Sequence, residues 1–566
     1  MAGCQDPCID LIQAAFEQRR DHLAKLTLSN PLGGEDLYGQ AGLVQLSAGS
    51  DPARVNAHLR WVAQWFDHPH PLGRNHKGEV DFAALRLARA LAQFHDHLEP
   101  PTIEAIERFF LSTDYESMYA SENHVLQFHA ARLVAAQRLP HRRFEAYGKS
   151  GKELVEIDQA WIKRFIRFRA RQGWGEFDST GYLAVNMESL LTVHDFAQDG
   201  QLRRMAQDMC NLLLADMAVD MLDGVLAGAH GRSYGPSLPN PSSSSSCAMM
   251  HLYFAQGGVN LISRFDPVEC LLSAFRPHPL VIDIAVDRHQ PYANRERKHL
   301  HRCTDALPEV EGPGSIRKYT WWEPKFAIGA VQRQDPYGAD SPDAWYARHQ
   351  QVEWELVLAG NPPVSVFTHH AGRTGEHMYW TGDNRCECGS FLQNGSAVVG
   401  VYRIPADQPF QHIHAHLPRK HFDEIVERGG WVFIRRGDVY AGLWAHNGWR
   451  WTVEGEHAGR EMVSQGLTNA IVCEAGTEAQ FRSFGRFQEQ LAATAIRFDP
   501  RAVSLEYPSP RHGRLGVNAN GGRLLDGRTA DLEYPTWDSP YLRSVWDSGL
   551  VELTKDGRRL VLDFRS

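Results

Sequence analysis

The feature that most constrains this chain is a change of hydrophobic period near residue 300. Before it, apolar residues recur every three or four positions. After it, they fall in short runs rich in β-branched and aromatic side chains. A chain written this way places helices and strands in separate layers or domains, not in an alternating βαβ sheet. Leu154, Ile157, Trp161, Phe165 and Phe168 make one helical face, and Leu202, Met205, Met209, Leu212 and Val219 make another. Further helices are predicted around 53–66, 79–97, 101–111, 123–137 and 182–197, with breaks at 68–71, Pro100-Pro101 and 198–200. Short connections between successive helices suggest an α/α array. The Pro- and Ser-rich stretch 236–247 reads as a flexible loop, not a helix. From about 315, Trp431–Ile434, Val439–Trp444, Ala470–Cys473 and Arg559–Phe564 read as strands, divided by turns such as Arg436-Gly-Asp438. The expected fold is α+β and multidomain: a helical domain over 1–310, then an antiparallel β-sandwich over 311–566.

Bulk charge narrows the partners. A net charge of −9 over 566 residues argues against nucleic acid, although an acidic protein can carry a local basic cleft for an anionic substrate. No apolar run is long enough to span a bilayer, so no membrane partner is expected. The first residues lack a basic segment followed by an apolar one, so the expected compartment is the cytoplasm, or the periplasm or exterior if a signal was removed. Nine cysteines, an odd number spread along the chain, suit reduced thiols better than a disulfide framework. A homo-oligomer is compatible with the sequence.

Five segments concentrate chemistry. In Asp223 to Gly235, a Gly-bracketed stretch, His230, Arg232 and Tyr234 alternate. Imidazole and phenol pass protons and guanidinium holds a carboxylate, the set needed to remove a proton beside a carboxylate. The alternative is an ordinary polar loop. Ser121-Glu122-Asn123-His124 opens a helix. Ser121 or Asn123 is expected to cap it, and Asn123 and His124 at the positive helix end could face a bound carboxylate. In Trp174 to Tyr182, followed by Asn186, Glu188 and His194, Trp174 or Tyr182 could stack on a sugar or belong to the core, and Asp178 with Glu188 could be an acid/base pair. Phe367 to Gly389 carries His369, His370, Arg373, His377, Trp380, Cys386 and Cys388. One His could reach the helical half. Alternatively, the thiols and imidazoles suit zinc, so a metal, zinc or calcium, stays open beside a plain polar hairpin. His412, His414 and His416 alternate on one strand face, lining a cleft or binding an ion. No nucleophile elbow, phosphate loop or dinucleotide fingerprint occurs.

Helices followed by antiparallel strands resemble the toroid-plus-sandwich polysaccharide lyases: the chondroitin and hyaluronan lyases, heparinase II-type lyases and oligoalginate lyases. The segment Asp223-Gly…His230…Tyr234-Gly resembles their catalytic His and Tyr stretch, Asn123-His124 resembles their carboxylate-neutralising Asn and neighbouring His, and His369 or His370 resembles a His that some members supply from the sandwich. The resemblance implies an N-terminal (α/α) toroid, a C-terminal β-sandwich and β-elimination on an anionic, uronate-containing glycan. In that scheme His230 and Tyr234 transfer protons, with Tyr182 as a reserve acid. Asn123, His124 or Arg232 neutralises the carboxylate, and Glu122, Trp174, Glu188, Arg373 and Trp380 contact substrate. Fold alone does not assign function. A glycoside hydrolase on the same scaffold would use two carboxylates, with Glu122 paired with Asp178, Glu188 or Asp223 as the candidates. A Trp-rich sandwich could also bind carbohydrate without catalysis.

Overall fold

The computed structural model describes residues 7–65, 79–114, 121–257, 267–299, 316–334, 352–371, 379–381 and 388–565. It is α+β, with helices first and large antiparallel sheets after. No helix among the described residues is long and apolar enough to cross a membrane.

Four long helices, Glu122–Arg138, Gly151–Gln172, Tyr182–Phe196 and Gly200–Asp220, carry the helical half. Their ends are written locally. Ser150 and Glu153 form a reciprocal capping box at the start of the second, and Asp199 accepts from the Gln201 and Leu202 amides at the start of the fourth. The face of Gly151–Gln172 differs from its predicted form: Ile157 is 40% exposed and Asp158 is fully buried. The neighbouring helix explains the exchange. His129 Nδ1 lies 2.7 Å from Asp158 Oδ1, and Arg132 grips both carboxylate oxygens. A buried charge is tolerated when it is paired in this way. The serine-rich stretch is also more ordered than predicted. Ser244 accepts from the Cys247 amide and starts the helix Ser245–Phe254, so the serines cap a helix instead of filling a loop.

The strand-rich half begins at Tyr292, before the expected boundary at 311. Tyr292–Lys298 pairs with Ile316–Glu323 on one side and Trp537–Asp538 on the other, inside a twelve-stranded sheet. A six-stranded sheet packs on it. Phe326, Ile328, Trp354 and Leu356 of the larger sheet share a core with Phe391, Val398, Leu443 and Ile471 of the smaller. Side chains alternate along a strand, so Val399 and Val472 face the opposite way, toward Leu505, Tyr507 and Leu515 of a five-stranded sheet. The last strands return to the helices, where Trp537, Leu542, Val551 and Leu553 join the helical core. The reduced-thiol expectation holds at Cys8, Cys210, Cys247, Cys270 and Cys473 but not at Cys388, which is disulfide-bonded.

A buried ionic cluster ties the halves together. Lys318, from the sheet, contacts Asp178 and Asp220 of the helical half and lies 3.0 Å from Glu296. Lys298 Nζ lies 2.7 Å from Asp216 and 3.2 Å from Glu296, and the Trp537 indole donates to Asp216 at 2.7 Å. Four carboxylates thus face two ammonium groups. Burial pushes Asp216 and Asp220 up to about 6 against the pull of Lys298 and Lys318. Burial opposes ionisation of Glu296 too, but the two lysines outweigh it and bring that carboxyl down to about 2. The sign of the resulting pH dependence follows from linkage. An Asp whose folded pKa is raised contributes stability below its unfolded value near 3.8, and loses it as pH rises through about 6. Asp220→Asn imitates the protonated form. Its melting temperature should therefore gain on that of the native protein as pH rises from about 4 to 7. A pH-independent difference in thermal melts would show that Asp220 does not carry the excess charge.

Candidate active site

After the helix Gly200–Asp220 the chain makes a tight hairpin, Met221–Leu222 against Val225–Leu226. Asp223 and Gly224 sit at its turn with φ of 48° and 80°. It then runs into the seam between the halves, where His230 forms an antiparallel bridge with Val352. Gly231 follows because nothing larger fits: its amide donates to Phe177 O at 2.6 Å, and a Cβ there would lie 2.8 Å from Phe177 N.

Beyond Gly231 a continuous polar chain forms. Arg232 Nη2 donates to the Tyr234 hydroxyl at 3.0 Å, and the Tyr182 and Tyr234 hydroxyls lie 2.5 Å apart. The Arg232 guanidinium sits 4.3 Å from the Tyr182 ring centroid. Its Nη1 donates to Glu176 Oε1 at 3.2 Å, and the other Glu176 oxygen accepts from Asn123 Nδ2 at 2.6 Å. Tyr182 stands in the first turn of its helix, with its amide donating to Ser179 Oγ at 3.0 Å. Burial pushes the Tyr182 hydroxyl well above the ordinary phenol range, against the opposing charge of Arg232. A phenol that keeps its proton can donate it to Tyr234. Two donors then converge on the Tyr234 oxygen. Tyr182 is buried, whereas Arg232 and Tyr234 are half-buried. These two side chains are therefore the groups of the chain that a ligand can reach.

The remaining predicted residues are placed as follows. His230 does not face a cleft. It is 1% exposed, with Nδ1 at 2.8 Å from Asp178 O and Nε2 at 2.8 Å from Glu355 Oε2. Burial opposes its protonation, but Glu355 outweighs burial and raises its pKa, making it a cationic clamp between the halves. Asn123 spends its amide hydrogens inside the protein, on the Glu176 carboxylate and on Ser121 Oγ at 3.1 Å, so the carboxylate it holds is that of Glu176. Ser121 occupies the N-cap position without capping a backbone amide. His124 is buried with Nδ1 at 2.8 Å from Asp81 Oδ2. Glu122 does not contact solvent. It accepts from the Gly175 and Glu176 amides and pairs with Arg169 at 2.8 Å, fixing the loop that presents Glu176. Trp174 is core, beside Phe165. Glu188 is core as well, paired with Arg86 at 2.7 Å. Arg373, His377 and Cys386 lie outside the described residues.

In the strand-rich half, His369 and His414 are register partners, and Trp380 stacks on His414 at 4.7 Å with an interplanar angle of 4°. His414 Nδ1 lies 2.8 Å from Glu461, His369 Nε2 lies 3.2 Å from Tyr379 O, and His370 Nε2 lies 2.7 Å from Phe410 O. Burial pulls His369 well below the usual imidazole range. These rings form an interlocked aromatic layer. Among the described residues, three possible metal-ligand atoms converge only at Asp178, Asp220 and Glu296. Lys318 contacts all three of those carboxylates. The Cys388 sulfur, being in a disulfide, is no thiolate ligand. A cleft of about 1000 Å³ opens between the halves, running from Gly235 and Pro236, next to Tyr234, to Trp380 and His416.

Glu176 was missing from the predicted site although it lies within the Trp174 to Tyr182 stretch. Only the fold shows that its two oxygens join Asn123 to Arg232, 53 and 56 residues away. The chain matches no protein-family model, and no curated protein is significantly similar to it.

Proposed function

We propose that the protein is a lyase that cleaves a uronate-containing glycan by β-elimination. The observation that carries this reading is the Arg232–Tyr234–Tyr182 constellation, which directly precedes Gly235, where the lining of the cleft between the halves begins. In the reaction the proton beside the uronate carboxylate is removed, and a double bond forms to the adjacent carbon. The bond from that carbon to the glycosidic oxygen breaks with its electron pair, and the oxygen takes up a proton. The first proton is weakly acidic, so charge building on the carboxylate must be stabilised in the transition state. Arg232 is the cation beside Tyr234 that would meet the carboxylate. Tyr234 would take the proton, and the Tyr182–Tyr234 pair would return one to the leaving oxygen. Glu176, held by Asn123, and the amides held by Glu122 orient Arg232. This reading treats the helical half as an (α/α) toroid and the strand-rich half as a sandwich, as in the lyases the sequence resembles.

A two-carboxylate hydrolase finds less support. Glu122, Asp178 and Glu188 are each at most 1% exposed and engaged with cations, and Asp223 accepts from the Gly360 amide at 2.7 Å. Inverting chemistry needs room for a water between two accessible carboxyl groups. The test is ultraviolet absorbance during incubation with alginate, chondroitin, heparan, hyaluronan, ulvan-type and rhamnose–glucuronate glycans and their oligomers. The expected result is a rise from the conjugated unsaturated uronate on at least one of them. New reducing ends without that absorbance would overturn the lyase reading in favour of hydrolysis.

A further inference from the structure

The cleft that starts at Gly235 has walls of one electrostatic sign. Among the described residues, the ionisable side chains lining it are His416, Arg419, Lys420, His421 and Arg460, all basic, with no carboxylate. Burial lowers both imidazoles, His416 to about 3, so the lasting charge comes from Arg419, Lys420 and Arg460. Arg460 shares its guanidinium with Glu456 at 3.1 Å. Among the described residues, Arg419 and Lys420 have no carboxylate partner, and Arg419 instead lies 4.6 Å over the Trp451 ring. On a chain of net charge −9, three cations of which only Arg460 has a carboxylate partner among the described residues are a local reversal of the field. The walls are also stiff. Pro236, Pro239, Pro362, Pro363 and Pro418 all line the cleft, and proline's fixed φ reduces the ordering that a ligand must impose. A volume of about 1000 Å³ is larger than one sugar ring requires and sits at the upper end of ordinary ligand sites.

We propose that this cleft is a subsite for oxyanion groups, carboxylate or sulfate, on the sugar units of the glycan that flank the cleaved uronate. The inference rests on the lyase reading for the identity of the chain it binds. It makes the substrate a polyanion, charged outside the cleaved residue as well as on it. Isolated exposed ion pairs contribute little, so the test removes two cations together. The Arg419→Gln/Lys420→Gln variant and the native full-length chain are titrated calorimetrically with three hexasaccharides: chondroitin sulfate, hyaluronan and neutral maltohexaose. The native protein should bind an anionic hexasaccharide and not maltohexaose. The variant, with unchanged melting temperature, should bind that anionic hexasaccharide about tenfold more weakly at low salt, with the difference shrinking as salt is added. Binding of both anionic probes would show that carboxylates suffice, and binding of the chondroitin sulfate probe alone would assign the subsite to sulfate. Equal affinity for maltohexaose, absence of binding to either anionic probe, or a variant that binds as the native protein does, would overturn the proposal. Binding requires no turnover. Absence of unsaturated product therefore counts against the lyase reading and leaves the cleft result standing.

Discussion

Tyr234→Phe should lower the rate of unsaturated-product formation by about 10²- to 10⁴-fold, the range supplied by a positioned proton-transfer group. The substitution keeps the ring and removes one oxygen. That oxygen meets the Arg232 guanidinium at 3.0 Å and the Tyr182 hydroxyl at 2.5 Å. Loss of these bonds should cost on the order of 1 kcal/mol, so the fold survives and thermal melting stays near the native value. Initial rates from ultraviolet absorbance and a melting curve on the same sample separate the two effects. A near-native rate would remove Tyr234 from proton transfer. Tyr182→Phe is the informative companion: Tyr182 is buried behind Tyr234, so its removal should slow the reaction without abolishing binding of an anionic hexasaccharide.

The second large effect is on stability. In Lys318→Met the ammonium that contacts Asp178, Asp220 and Glu296 is gone. Breaking a buried ion pair by removing one partner leaves an uncompensated charge and costs about 3–5 kcal/mol. Here three carboxylates are exposed to that penalty, with Lys298 their remaining cation. The expected outcome is a large fall in the guanidinium chloride unfolding midpoint, or failure to accumulate folded protein. Adding Asp220→Asn removes one of the stranded charges and should restore part of the loss, a non-additive result typical of groups in direct contact. An unchanged midpoint in Lys318→Met would mean that the carboxyl groups are already protonated at the working pH.

The helices were legible in the sequence because burial repeats with the period of the helix: Leu202, Met205, Met209 and Leu212 are all buried as predicted. Where polar residues take buried positions, that signal is lost. Tyr292–Lys298 alternates buried and partly exposed residues as a strand should, but its inward positions hold Asn294, Glu296 and Lys298. No apolar alternation marks it, so this strand precedes the change of period that the sequence shows. Ile157 and Asp158 exchanged places for the same reason, since partners on another helix decide which of them is inside. The Gly-bracketed segment does bring Arg232 and Tyr234 into one hydrogen-bonded chain. Spacing could not show that His230 would instead meet Glu355, 125 residues further on. Nor could it show that Trp174 would be enclosed while Arg232 would not.

The ionic cluster has a consequence for how the protein can be divided. Its acids Asp178, Asp216 and Asp220 come from the helical half, and Glu296 and the cations Lys298 and Lys318 come from the sheet. A cut near residue 300 would leave the first fragment with four buried carboxylates and Lys298 alone to face them, and deprive the second of its tail's packing surface, since Trp537, Leu542 and Leu553 rest on the helical core. Neither fragment is then a self-sufficient folding unit. The two parts behave as one cooperative body. Expression of either alone should give aggregation-prone, protease-sensitive material, and complementation of the two fragments in one tube should recover what each lacks.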